Sequence, residues 1–303
     1  MALRRARRHI HPHMRRFITY LISFAVLIAV AGLWVTQPAA VEPTRFINIE
    51  GDVARGEIVY WAGGCGSCHA AEDDASKLIL AGGRHLKSDF GTFISPNISP
   101  GPQGIGNWTI NNFANAMLHG SSPDGSHYFP AFPYTSYSRM TDQDIADLWA
   151  FMQTLPVSDE PSKPHEIGFP FNIRASVGGW KLLYLTSDFV GPESGSERGR
   201  YLVESAGHCA ECHTPRSALG GLDLDRWMAG APNPSGPGRI PGLTPTQLKW
   251  SAADIAYYLE TGFTPDFDSA GGEMAQVVRN MARLSTEDRE AIAAYIKSLA
   301  PAE

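Results

Sequence analysis

All four cysteines of this 303-residue chain fall in two copies of one pattern, C-x-x-C-H. The copies are residues 65–69 and residues 209–213. Two thiols at this spacing on a helical turn lie on one side of the chain, where they can form thioethers with the vinyl groups of one haem. The histidine that follows can then bind the iron. The pattern predicts two covalently bound c-type haems, held by the following residues: Cys65, Cys68, His69, Cys209, Cys212 and His213.

Three other uses of paired cysteines explain the pattern less well. Disulfides are common in exported proteins, but they would not require a histidine after each pair. A zinc site needs four ligands in one place, and the two pairs lie 144 residues apart in the chain. A thioredoxin-like redox site would need a βαβ pattern around the pair, which this sequence lacks. Haem attachment is therefore the preferred interpretation.

Features around the two motifs recur at about the same spacing, which indicates a tandem repeat. Residues 96–100 and residues 241–245 both begin and end with proline. Residues at matching positions can cap four predicted helices: Thr109, Thr141, Ser251 and Ser285. Acidic side chains three positions after Thr141 and Ser285 complete the sequence pattern of a capping box.

The repeat predicts the domain organisation. No β alternation of useful length occurs, so we expect an all-α fold of two tandem cytochrome c domains with long loops, preceded by one transmembrane helix. The predicted domains are residues 50–156 and 195–300, and residues 157–194 form a connector. The connector contains apolar side chains that we expect to be buried: Trp180, Leu182, Leu183 and Tyr184.

The amino end carries a membrane signal. Residues 17–35 contain no charged side chain, and as a helix they would extend ~28 Å, close to the ~30 Å thickness of a bilayer core. Six arginines and no acid lie before this stretch. The positive-inside rule then leaves residues 1–16 as a basic cytoplasmic segment and exports the rest. We therefore expect a single-pass anchor in a bacterial inner membrane, with the carboxy-terminal domains in the periplasm.

A cleaved signal peptide is the alternative to the anchor. Its apolar region is usually about 7–15 residues long and is followed by a small-x-small cleavage site. The apolar run here is longer, and the candidate cleavage sequence at residues 38–40, Pro-Ala-Ala, matches that site poorly. Both interpretations export the part of the chain that carries the haem motifs.

The charge of the exported part limits its partners. Residues 36–303 hold 19 basic and 31 acidic side chains, which gives a net charge of −12. Nucleic acid binding requires clustered lysine and arginine, so nucleic acid is an unsuitable partner. An acidic surface is compatible with docking onto a basic patch of a redox partner protein.

Longer motifs surround the haem patterns, at residues 90–98, 104–108, 124–137, 169–174 and 207–216. With them, from about residue 50 to 300, the chain resembles the multihaem cytochrome c subunits of bacterial membrane-bound alcohol, gluconate and related sugar dehydrogenases. The resemblance implies a chain of haem-c domains that takes electrons from a flavin- or quinone-cofactor subunit and passes them to membrane quinone or a terminal oxidase. This chain departs from those relatives in having two haem motifs instead of the usual three, and an anchor instead of a cleavable signal.

The second axial ligand of each iron is predicted from methionines, because histidine and methionine together give a closed, electron-transferring haem with a raised potential. The resemblance places the ligand of haem 2 at Met274, with Met281 as an alternative. For haem 1, the family often has methionine where this chain has Phe132. We therefore predict Met140, which lies just ahead of the last helix of the unit. The alternatives for haem 1 are His127 as the ligand or an open iron that has no second protein ligand.

Two functions follow from these two possibilities. If both irons are closed, the chain is a non-catalytic relay, carrying electrons in a periplasmic respiratory chain from a dehydrogenase to quinone, another cytochrome or a terminal oxidase. If haem 1 is open, the chain is a dihaem oxidoreductase acting on peroxide or a small sulfur compound, with His127 as the acid-base candidate. We expect the relay.

Overall fold

A computed structural model describes residues 12–71, 73–234 and 236–301 of the chain. It divides into two compact units, one ending at Gln37 and one beginning at Pro38. Most of the predicted cytoplasmic segment, residues 1–11, lies outside the described residues.

In the first unit, the described residues form one helix, α1, Pro12–Val35. From His13 to Val35 it is long and apolar enough to cross a membrane, and no other helix of the described residues is. The helix begins five residues before the predicted apolar stretch, because the polar residues ahead of Phe17 continue its hydrogen bonding. These properties fit the predicted anchor, and they also fit a signal sequence.

The second unit contains two helical halves, called here the first half (residues 50–156) and the second half (residues 195–300). The helices of the first half are α2 (Val53–Ala62), α3 (Cys65–His69), α4 (Ile110–His119), α5 (Tyr134–Tyr137) and α6 (Asp142–Met152). Between the halves lies α7 (Ala175–Tyr184). The second half contains α8 (Glu197–Tyr201), a π-helical turn (Leu202–Ala206), α9 (Ala210–His213), a 3-10 turn (Leu224–Arg226), α10 (Ala252–Thr261), α11 (Met274–Met281) and α12 (Thr286–Ser298).

All four predicted capping residues begin helices. The hydroxyl of each accepts a hydrogen bond from the backbone N–H three positions on, at the starts of α4, α6, α10 and α12. Complete capping boxes, in which the side chain at the third position bonds back, form at Thr109 and Ser251. Within the described residues, the boxes predicted at Thr141 and Ser285 lack this return bond. Such caps satisfy amide groups that a helix start leaves without partners.

The first and last helices of each half cross at a glycine. A Cβ atom on Gly56 of α2 would lie 1.9 Å from the carbonyl oxygen of Asp147 in α6, and one on Gly199 of α8 would lie 1.9 Å from that of Ala291 in α12. An arginine precedes each glycine and pairs with the last helix: Arg55 with the fully buried Asp147 at 2.7 Å, and Arg198 with Asp288 at 2.8 Å. The repeated arginine–glycine pair therefore produces the same close crossing of the first and last helices in both halves.

The prediction of an all-α fold was wrong in one respect, because the second unit also contains short strands. β1 (His85–Ser88) and β2 (Gly91–Ile94) form an antiparallel hairpin, and β3 (Glu166–Ile167) adds to β2. β4 (Ala231–Pro232) pairs with β5 (Arg239–Ile240) in the second half. At two to four residues, these strands are too short to show an alternating pattern in the sequence.

The connector packs against both halves, but two of its leucines are not buried as predicted. Leu182 and Leu183 are 63% and 69% exposed. Lys181, between Trp180 and these leucines, turns inward and donates to the carbonyls of His119 and Gly120 at the end of α4. Lys181 lies on the inner face of the helix, so its neighbours Leu182 and Leu183 lie at the surface. Burial lowers the pKa of Lys181 to about 8.

Trp180 and Tyr184 of the connector are partly buried. Their rings lie 5.1 Å apart, and the indole Nε1 of Trp180 donates to the carbonyl of Leu219 at 2.9 Å. The connector therefore joins α4 of the first half to a loop of the second half.

Candidate haem sites

The two C-x-x-C-H motifs have the same local structure. The first is a single turn of helix, α3, and in the second Cys209 lies with helical dihedrals directly before α9. All four cysteines are free thiols. The two sulfurs of each motif are therefore available on one helical turn, as haem attachment requires.

Both motif histidines are oriented by a proline carbonyl. Nδ1 of His69 donates to the carbonyl of Pro96 at 2.9 Å, and Nδ1 of His213 donates to that of Pro241 at 2.7 Å. Because a carbonyl can only accept, the proton lies on Nδ1 and the lone pair of Nε2 is left for a metal. Burial lowers the pKa of both histidines more than these bonds raise it, which keeps the imidazoles neutral.

The candidate methionines lie against the core. Met140 is 5% exposed. Cys65, Cys209 and Met274 pack against the same buried cluster. Met274 is the first residue of α11, on the helix face that also carries Val278 and Met281, and both of these are buried.

The alternatives for haem 1 occupy different surroundings. Phe132 lies in an aromatic cluster, with ring centroids 5.8 Å from Tyr137 and 6.2 Å from Tyr134. His127 is 5% exposed, and its Nδ1 lies 3.1 Å from the ammonium group of Lys181. Lys181 of the connector therefore contacts one ring nitrogen of His127, the predicted acid-base residue.

The two motifs lie beside each other, joined by Tyr137. The hydroxyl of Tyr137 donates at 3.2 Å to the carbonyl of Gly63, two residues before the first motif. Its ring meets the ring of His208 edge-on at 5.6 Å, and His208 directly precedes the second motif. A Cβ atom on Gly63 would lie 3.7 Å from the carbonyl oxygen of Ala206. The backbones entering the two motifs are therefore close neighbours.

The second motif is also bound by the first half through Glu211, between its two cysteines. Thr135 and Ser136 of α5 donate to one carboxylate oxygen of Glu211, and Arg216 pairs with the other. Burial by itself raises the pKa of Glu211, but Arg216 and the hydrogen bond from Thr135 outweigh it, and the pKa is lowered. Glu211 is therefore an ionised side chain inside the contact between the halves.

The first motif is bound in turn by the second half. The side-chain amide of Asn280 in α11 donates at 2.9 Å to the hydroxyl of Ser67, between the first two cysteines. Arg84 donates to the carbonyl of Ser67 and reaches both carboxylate oxygens of Glu273 at 2.6 Å. Helix α11, which begins with the candidate ligand Met274, thus contacts the first motif. Helix α5, which precedes the candidate ligand Met140, contacts the second motif.

Comparison with known proteins identifies the family. The cytochrome c family pattern matches residues 53–156 and 196–300. The chain belongs to the cytochrome c family. A diheme cytochrome c-type protein of Cereibacter sphaeroides is 54% identical over 292 residues, which cover 94% of this chain and 98% of that protein. The predicted resemblance is confirmed, and the cytochrome carries two covalently bound haem c groups.

Cytochrome subunits of dehydrogenases are also similar to this cytochrome. The fructose dehydrogenase cytochrome subunit of Gluconobacter japonicus is 36% identical over 290 residues, 91% of this chain and 58% of that subunit. The cytochrome c subunit of a quinone-dependent alcohol dehydrogenase of Gluconacetobacter polyoxogenes is 37% identical over 274 residues, 82% of this chain and 56% of that subunit. The cytochrome therefore spans a little more than half the length of these two subunits, and together these relatives support electron transfer.

The residues of the cytochrome fit two haem groups. Each motif supplies two free thiols and a neutral histidine with Nε2 available. The hydroxyl of Tyr134, whose side chain is fully buried beside Phe132, has no hydrogen-bond partner within the part of the chain that the structure describes. A buried hydroxyl of this kind needs a polar partner, which a bound group can supply.

Several contributing residues were not predicted from the sequence. The carbonyls of Pro96 and Pro241 orient the histidines, and the matching prolines in the repeat were the available signal. Arg84, Glu211 and Asn280 had no signal, because their partners across the halves lie far away in the sequence.

Proposed function

We propose that this cytochrome is a two-haem electron relay of the periplasm. It receives electrons from a dehydrogenase and passes them to membrane quinone, another cytochrome or a terminal oxidase, as a non-catalytic subunit. The names of the fructose and alcohol dehydrogenase relatives support such a donor. Each haem, when bound, supplies an iron that takes up and releases one electron.

The observation that carries this proposal is the contact between the two attachment motifs. Electron tunnelling falls steeply with distance, so a relay needs its two centres close together. Tyr137 touches the approach to both motifs, with a 3.2 Å hydrogen bond on one side and a 5.6 Å ring contact on the other. The two halves form one compact unit, which holds this spacing constant.

In the proposal, side chains of the cytochrome close both irons. His69 and His213, each oriented by its proline carbonyl, would hold the two irons through Nε2. Met140 would supply the second protein ligand of haem 1, and Met274 would supply that of haem 2. Met140 is buried and Met274 is partly buried against the core, which supports these roles because burial limits the access of water. Methionine opposite histidine raises the reduction potential and leaves no site for a substrate.

Carbon monoxide binding by the reduced protein tests the relay against the enzyme. Two closed irons predict slow, substoichiometric binding, together with two one-electron waves in a redox titration. Prompt binding of one equivalent would instead support an oxidoreductase with an open haem 1 and His127 beside it. Mass spectrometry of the exported protein supplies the control, because both haems must be attached for the titration to be interpreted.

We further propose that α1 anchors the cytochrome in the inner membrane, with its haem domains in the periplasm. The apolar stretch from His13 to Val35 supports this proposal. Washing membranes with high salt should leave the cytochrome bound, and detergent should release it with its amino-terminal residues intact. Recovery of a soluble, shortened chain would support cleavage of α1 as a signal. Proteins that co-purify in detergent would identify the donor.

A further inference from the structure

The contact between Arg84 and Glu273 joins the first haem motif to the methionine segment of the second half. The guanidinium of Arg84 donates to the carbonyl of Ser67, inside the first motif. Its Nη2 lies 2.6 Å from both carboxylate oxygens of Glu273. Glu273 directly precedes Met274, so one arginine side chain spans from haem motif 1 to the candidate ligand of haem 2.

A second contact fixes the same helix further along. Asn280 of α11 is 6% exposed, and its amide donates to the hydroxyl of Ser67 at 2.9 Å. Space for this amide exists because residue 64 is glycine: a Cβ there would lie 3.0 Å from Nδ2 of Asn280, and the backbone has a left-handed φ of 59°. Helix α11 is thus held to the first motif from both ends.

The loop of the second half that leads into α11 is poorly packed just before Glu273. The loop before Met274 is largely exposed, with Phe267 at 98%. Gly271 and Gly272 precede Glu273, and open space surrounds the Cβ position of both. Glycine adds backbone freedom, so these two residues leave the first turn of α11 to be positioned by the packing of Met274 on the core and by the contacts of Glu273.

From these contacts we infer that Arg84 of the first half is a positioning residue for Met274 of the second half. By holding Glu273, it keeps the first turn of α11, and with it the thioether, on the iron of haem 2. The integrity of haem motif 1 therefore controls the ligation of haem 2. This inference rests on the proposed role of Met274 as an axial ligand.

Displacement of methionine by imidazole tests the inference. Imidazole replaces methionine on ferric haem c only after the iron–sulfur bond opens, so the limiting rate at high imidazole reports how firmly the methionine is held. The wild-type cytochrome, in detergent and with both haems, should show two phases. Replacing Met274 with alanine should remove one of them and assign it to haem 2.

Arg84→Gln and Glu273→Gln should each accelerate the haem 2 phase about tenfold, which corresponds to about 1.4 kcal/mol. The haem 1 phase should not change in Glu273→Gln, because within the described residues Glu273 itself does not contact the first motif. The double variant should be no faster than Arg84→Gln alone, because Glu273→Gln removes only a contact that Arg84→Gln has already broken. Glu273 is 60% exposed, so its replacement leaves the core intact. Haem content and circular dichroism verify this.

Arg198→Gln is the matched control. It breaks another arginine–carboxylate pair, with Asp288 at 2.8 Å, in the second half but away from Met274. It should leave both phases at their wild-type rates. Unchanged rates in the Arg84 and Glu273 variants, or equal acceleration by Arg198→Gln, would overturn the inference while leaving the relay intact. If Met274→Ala alters neither phase, the ligand assignment itself fails, and the inference fails with it.

Discussion

Replacing Gly56 with alanine should destabilise the cytochrome, because α2 and α6 touch at this glycine. The new Cβ would lie 1.9 Å from the carbonyl oxygen of Asp147. Carbon and oxygen atoms in contact stay about 3.3 Å apart, so the helices must separate by about 1.4 Å. The obstructing atom belongs to the backbone of a buried helix and cannot rotate away.

The magnitude follows from two opposing effects. Overpacking of this kind costs about 3 kcal/mol, and alanine in a helix gains about 1 kcal/mol over glycine. The net loss is about 2 kcal/mol. Gly179 of α7 is the matched control, because nothing lies within 4 Å of its Cβ position. Gly179→Ala should therefore gain about 1 kcal/mol.

Urea denaturation of the full chain with both haems, followed by far-ultraviolet circular dichroism, measures the two free energies of unfolding. The variants should differ by about 3 kcal/mol. Gly199→Ala should behave like Gly56→Ala, because its Cβ would meet the backbone of α12 at the same distance of 1.9 Å. If Gly56→Ala is as stable as Gly179→Ala, the close helix crossing is not present in solution.

Three other variants test the electrostatics and the ligands. Burial by itself raises the pKa of Asp147, but hydrogen bonds from Arg55 and its other partners outweigh burial and lower the pKa. The ionised carboxylate therefore stabilises the fold above about pH 4, and this stabilisation is lost as the pH falls. Asp147→Asn should cost about 2 kcal/mol at pH 7 and flatten the acid limb of a thermal denaturation series. The pKa of Lys181 is lowered to about 8, so above that pH the unfolded chain binds more protons than the folded one. Stability should therefore rise from pH 8 toward the ordinary lysine pKa of about 10.4. Lys181→Met should remove this rise in the same series. Met140→Ala should open one iron, which carbon monoxide titration would detect as one equivalent bound, and lower one reduction potential; two unchanged potentials would contradict the assignment of Met140.

The sequence predicted the parts of this fold that depend on local patterns. The haem motifs follow from the spacing of cysteine and histidine, and the helix starts follow from residues such as Thr109 and Ser285, whose caps form within one turn. An Arg-Gly pair precedes each haem motif in the sequence, at residues 55–56 and 198–199. The role of these pairs at a helix crossing was not visible, because it depends on partners 90 or more residues away.

The features that were mispredicted depend on tertiary contacts. Leu182 and Leu183 looked like core residues, but Lys181 finds buried carbonyls at the end of α4 and turns the leucines outward. The strand β3 has two residues and exists only because β2 offers an open edge. Arg84 and Glu273 are separated by 189 positions, and nothing local in the sequence pairs them.

The pairing of β3 with β2 has a consequence for dissecting the protein. A fragment that ends at residue 156 would lack Glu166 and Ile167 and would expose the backbone of β2 along a bare edge, which invites self-association. It would also lack Lys181, which binds the last carbonyls of α4. A stable amino-terminal fragment should therefore extend through α7, past the end of the repeat unit.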